Sequence, residues 1–258
     1  MKGFLTIFWR EVRAYFSGPM AWTVAGGFLF LSGQFFLAMM DSYVRDYLMS
    51  RDSPIMRGQT PDINIMMSQG VFPYLTTFLL FFTPLITMRL FTEERTMKTD
   101  ELLFTSPVST TAIVLGKYSA ALFVVAVMLA GTLHIPAVLH QISPLDLRPL
   151  YSGYLGVFLV GAAFTSIGVF ASSVTESQIV AALLSFVGLL TLLVLGWLTG
   201  MFEGSFLRPV IEYAAYDKHF ENLSKGILDT RDIVYFVSLP ALFLFATHRT
   251  LGTSQWRS

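Results

Sequence analysis

The chain has 258 residues, 54% of them hydrophobic, a mean hydropathy of +0.62 and a formal net charge of zero. Long uncharged stretches of this composition point to an all-α polytopic membrane protein, and the neutral balance gives no support to nucleic-acid binding. There is no Cys, which excludes disulfides, Cys-based metal sites and a Cys nucleophile.

Residues 1–18 carry Lys2, Arg10, Glu11 and Arg13 among Phe4, Leu5, Ile7, Phe8, Trp9, Val12, Tyr15 and Phe16. They lack the compact apolar core and small-residue cleavage site of a signal peptide. The mixture reads as an interfacial amphipathic helix ending at Ser17-Gly18-Pro19, with a solvated tail as the alternative. A helix needs about 20 mainly apolar residues to cross a bilayer core of about 30 Å. Six segments supply that length or approach it, near 22–40, 71–90, 113–139, 151–171, 179–199 and 233–247. The last is short unless Arg231 and Asp232 join its first turn, and Pro240 is expected to kink it. All six belong to a single transmembrane domain over 1–258, with long connections at 41–70 and 201–232. In the second of these, amphipathic pieces suggest short helices at the outer surface or re-entering it; an ordered loop clear of the membrane is the alternative.

Between the second and third spans lies an island of charge holding Arg89, Glu93, Glu94, Arg95, Lys98, Asp100 and Glu101. These alternate with Met97, Leu102, Leu103 and Phe104, contain no Gly and stop at Ser106-Pro107. The pattern predicts a short amphipathic helix over 92–105, outside the bilayer. An even number of spans puts both termini on one side. With the termini inside, the basic residues divide nine to eight between inner and outer segments. Arg10, Arg13, Arg89, Lys117 and Arg249 close to span ends favour cytoplasmic termini in a cell's inner membrane.

The spans hold almost no ionisable groups at depth, apart from His134 in the third, which reads as a hydrogen-bonded structural residue. No zinc-binding H-E-x-x-H and no G-x-S-x-G elbow occurs. Gly116-Lys117 ends like a phosphate loop, but Tyr118 follows and Thr111 replaces the first Gly, so the chain does not bind ATP that way. Lys117 reads as an interfacial charge at the inner end of the third span. Small residues on the first and fifth spans, Gly26, Gly27, Ala181, Ser185 and Gly188, are candidates for contact with a second copy.

Placed after the second span, the island resembles that of permease subunits of type-2 ABC exporters, and more narrowly of the gliding-motility-associated permeases. Their stretch E-x-x-x-G-T-x-E-L-L-x-T-x-P is matched at Glu94, Thr99, Glu101, Leu102, Leu103, Thr105 and Pro107, and the following Gly-Lys at Gly116 and Lys117. The turn Ala171 to Gln178 and the stretch 226–236 are also similar to the family. Lys98 stands where the family has Gly and Asp100 where it has Leu. A Gly at 98 would permit a break or a tight approach; the charges here would instead sharpen the face for one partner.

The resemblance implies a non-catalytic membrane subunit. Its cytoplasmic helix is expected to couple to a separate ATPase dimer that binds ATP and Mg. Glu93, Glu94, Arg95, Lys98 and Glu101 would orient the contact, and Met97, Leu102, Leu103 and Phe104 would supply its apolar part. A second permease copy or related permease, and an auxiliary membrane protein with a large outer domain, are further expected partners. An ATP-independent transporter or channel is the alternative; it would require ionisable or discontinuous helices at mid-membrane.

Overall fold

A computed structural model describes residues 2–52, 62–98, 108–142, 145–199, 201, 206 and 208–254. Among them there are helices and turns and no strand. The helices are α1 (Lys2–Ser17), α2 (Pro19–Asp52), α3 (Ile63–Ile65), a π-helical turn (Met66–Val71), α4 (Phe72–Thr87), α5 (Thr92–Thr96), α6 (Thr110–Gly131), α7 (His134–Ile142), α8 (Leu147–Ser173), α9 (Gln178–Leu198), α10 (Arg208–Ala214), α11 (Tyr216–Ser224) and α12 (Thr230–Ser254). Among the described residues six helical stretches, two of them joining several of these elements, are long and apolar enough to cross a membrane.

Several elements differ from the sequence reading for local reasons. The first apolar run lies within α2, a helix of 34 residues, which at 1.5 Å per residue is about 51 Å and outreaches the bilayer core. Nothing between Gly33 and Pro54 breaks it, and Asp41 pairs with Arg45 one turn on. The third run is divided instead of continuous. Pro136 has no N–H and crowds the carbonyl four residues back, so α6 closes at Gly131 and α7 starts afresh at His134. His134 Nδ1 lies 2.8 Å from the Gly131 carbonyl at this break, a local structural contact.

Helix α8 is the hub. Residues of α4, α6, α9, α11 and α12 all pack on it, and 78% of its apolar window is buried, against 17–22% for α2, α9 and α12. Its small residues allow this. A Cβ at Gly153 would stand 2.0 Å from the Phe72 ring, and one at Gly168 would stand 2.1 Å from Thr87 Oγ1. Without a hydrophobic force between helices in lipid, such close backbone approach is a main source of association. α2, α9 and α12 form the periphery and leave apolar side chains such as Phe30, Leu183 and Leu242 exposed.

The connection 201–232 contains the two short helices expected of it, and they turn into the subunit. Leu223 and Phe220 pack at Gly156, while the Tyr216 ring lies 5.4 Å from Phe164. Those contacts span eight residues of α8, about 12 Å of depth. α10 and α11 therefore make a re-entrant hairpin with its tip at Ala214 and Ala215. Non-helical backbone at such depth must find partners inside the protein, and it does. Tyr235 Oη donates to the Ala214 carbonyl at 2.8 Å, and His219 Nε2 lies 3.1 Å from the Tyr213 carbonyl. His219 Nδ1 lies 2.7 Å from Asp232, whose other oxygen accepts from Asn222.

Candidate functional site

The charged island meets α1 and the start of α6 in one cluster of ion pairs. α6 begins with Ser109 as its N-cap, its hydroxyl accepting from the Ala112 amide. Two turns on comes Gly116, where an added Cβ would stand 2.8 Å from Ile7 Cγ2 and 3.4 Å from the Phe4 carbonyl. Only a residue without a side chain lets α1 lie this close. The next residue, Lys117, is 1% exposed. Its ammonium lies 3.1 Å from Glu11 and 3.0 Å from Glu94, and donates to the Leu90 carbonyl. The Phe91 ring covers it at 5.2 Å. The reading of Lys117 as an interfacial charge is thus corrected: it is fully enclosed by protein, because two segments distant in sequence, α1 and the 90–94 stretch, close over it.

Arg10 completes the cluster, 2.6 Å from Glu11 and 2.8 Å from Glu94. Two cations and two carboxylates balance. Burial alone would raise the Glu11 pKa, but Lys117 and Arg10 outweigh it and hold that carboxyl below its ordinary range. Beside this, Tyr15 donates to the Ile86 carbonyl at 2.7 Å, and Arg89 stacks on the Tyr15 ring at 4.8 Å. Burial pushes the Tyr15 hydroxyl up, so it stays a donor.

The island is also tied to the far side of the bundle. The Phe91 amide donates to Ser172 Oγ at 2.9 Å, and Thr96 Oγ1 donates to the Glu176 carbonyl at 3.1 Å. Ser172 ends α8 and Glu176 lies in the turn before α9. Ser172, Glu176 and Glu11 were not singled out for this role from sequence; their roles depend on folding, and no local pattern announces them.

The helix expected over 92–105 is interrupted. α5 ends at Thr96, Met97 caps it, and Lys98 has φ +53°. The left-handed region is the one Gly enters freely and other residues enter at a cost. The break that a Gly at 98 would permit is therefore present here with a Lys in its place. Of the residues expected to meet a partner, Glu94 is directed inward, and Glu93 and Arg95 are half-buried. Met97 and Lys98 are exposed. Glu101, Leu102, Leu103 and Phe104 lie outside the described residues.

The small residues are divided in their surroundings. Ala181 and Ser185 are fully buried within the subunit, and a Cβ at Gly188 would stand 3.1 Å from Ile167. Gly27 faces the Phe82 ring, whereas Gly26 has open space around it. The surface of α9 that a neighbour can reach is the opposite one, with Ile179, Leu183, Val187 and Trp197. Among the described residues no cluster of three His, Asp or Glu stands ready to hold a metal ion. A cavity of about 860 Å³ lies between α2 and the 62–70 segment, lined by Phe35, Met39, Tyr43, Asp46, Asp62 and Gln69 among others.

No curated protein matches the chain. A family model described as ABC-2 family transporter protein matches residues 5–251, from the first turns of α1 to the last turn of α12. The chain therefore belongs to the ABC-2 transporter family: it is a membrane permease component of an ABC transporter, the non-catalytic kind of subunit that pairs with separate ABC ATPases.

Proposed function

We propose that the segment from Thr92 onward is where an ATPase subunit delivers force to this permease, in an exporter built from two permease copies and two ATPases. The observation that carries this is the enclosure of Lys117: it fastens the start of that segment to α1 and α6, while Ser172 and the Glu176 carbonyl fasten it to α8 and the turn before α9. A merely surface-lying helix needs no such anchorage. ATP and Mg belong to the ATPase partner in this reading, which places the termini in the cytoplasm and the chain in an inner membrane. The gliding-motility subfamily and an auxiliary subunit with a large outer domain follow from the same motif resemblance.

The anchored and the docking residues are different sets. Glu94 holds the subunit together; Met97, which is 65% exposed, and Lys98 face outward. The test is to express Met97→Asp with the partner ATPase and measure co-purification and ATPase stimulation. Burying a charge in an apolar groove costs a contact of hot-spot size, about 2 kcal/mol, or roughly thirtyfold in affinity. Full binding and stimulation by this variant would remove the docking role.

A further inference from the structure

The outward face of α1 carries a groove that the coupling reading does not use. Leu5, Thr6, Trp9, Arg10 and Arg13 line it, and its volume is about 490 Å³. Spacings of three and four put all five side chains on one face of the helix. The opposite face, with Ile7, Val12 and Tyr15, is buried against the subunit. We infer that this groove binds the anionic headgroup of a phospholipid from the surrounding leaflet. The inference needs α1 to lie at the membrane surface and does not depend on ATPase docking.

Two halves of the groove match two halves of such a lipid. Trp9 and Leu5 are about half exposed, at 53% and 49%. An indole so placed prefers the boundary between acyl chain and headgroup. Phe8 and Phe16 both pack on Phe123, in the fourth turn of α6, so α1 lies beside the first half of a candidate span. The other half is cationic. Guanidinium forks match phosphate oxygens in geometry as well as charge. Arg10 is neutralised within its cluster by Glu11 and Glu94, with Lys117 as the second cation. Arg13 is exposed and has no carboxylate partner among the described residues, so the face keeps one uncompensated positive charge. A peptide partner would meet the same charge, but half of this surface is apolar and lies beside a candidate span, which favours the lipid. Arg10 lines the groove and also bonds Glu94, so a bound phosphate sits one side chain away from α5.

The test uses the full chain, delipidated in detergent and titrated with phosphatidylglycerol or phosphatidylcholine under native mass spectrometry. Wild type should prefer phosphatidylglycerol. Arg13→Gln should reduce that preference roughly fivefold, the size of one arginine at an anionic surface. Arg208→Gln, on an exposed residue of α10, should leave it unchanged, and inorganic phosphate should not displace the lipid. Equal binding of the two lipids by wild type, or equal effects of the two substitutions, would overturn the assignment. So would a loss of ATPase co-purification by Arg13→Gln in pure phosphatidylcholine bilayers, which would give the face to a protein partner.

Discussion

Replacing Lys117 by Met tests the central cluster directly. Met keeps most of the stem's volume and removes the charge and its three donors. In the native subunit the ammonium serves Glu11, Glu94 and the Leu90 carbonyl, all in a site where Lys117 itself is 1% exposed. After the change Arg10 is left with Glu11 and Glu94, and the charge of these side chains passes from neutral to −1. Removing one partner of a buried ion pair costs about 3–5 kcal/mol. Part of that overlaps with the orphaned carbonyl, itself about 1–3 kcal/mol, and the added apolar burial of Met offsets some of the loss. A net destabilisation of about 3 kcal/mol is expected. Adding Glu94→Gln removes one stranded charge, so the double variant should lose less than the sum of the singles by about 1–3 kcal/mol. Denaturant unfolding in detergent measures all three, and ATPase stimulation should fall in step with the loss of the cluster. A Lys117→Met variant within about 0.5 kcal/mol of wild type, the range of ordinary surface changes, would refute the enclosure of Lys117 as an anchor.

Lys98→Gly should stabilise the fold by about 1 kcal/mol, because Gly reaches the left-handed conformation without the steric cost that Lys bears; a destabilised variant in the same unfolding assay would show that Lys98 makes a contact worth more than its strain. Glu11 has a native pKa below its ordinary value, so its contribution is complete above the unfolded-state value and is lost as pH falls through the lowered native one. Acidification below about pH 4 should therefore detach α1, measured as protease access to its N-terminal residues, and Glu11→Gln should be weak at neutral pH with little further loss in acid.

The spans were legible because a bilayer imposes a length and a composition, and those are written in one dimension. The hub role of α8 rests on small residues such as Gly161 and Gly168, both buried, whose meaning shows only once their neighbours are in place. What local pattern could not show is pairing across sequence. Lys117 lies more than a hundred residues from Glu11, and nothing near either announces the other. A charge at the mouth of a span has a cheap solution in water and an expensive one in protein, and sequence favours the cheap one. Lys98 is the converse case. There the resemblance marked the position as one that Gly should hold, and the backbone keeps the Gly conformation although the side chain has changed. The re-entrant hairpin is not legible in sequence, because α10 and α11 are too short for a helical period to show which face is buried. Its placement is settled by Gly156 and by the partners that His219 and Tyr235 provide.

The distribution of anchors bears on how a push at this segment would spread. A coupling segment fixed only by its chain connections would move α4 and α6 and leave the rest to follow. Here the segment begins in a buried stretch, Leu90 to Thr92, and Leu90 to Thr96 is held from four directions: α1 through Arg10 on Glu94, α6 through Lys117, α8 through Ser172, and the turn before α9 through the Glu176 carbonyl. α8 in turn is packed along most of its length by α4, α6, α11 and α12. Packed interiors of this kind transmit displacement and deform little. Force arriving at Met97 and beyond is therefore expected to move this end of the subunit as one body, with relative motion reserved for the surfaces where α2, α9 and α12 expose apolar side chains. On the proposed coupling role, the αL break at Lys98 marks the end of that body.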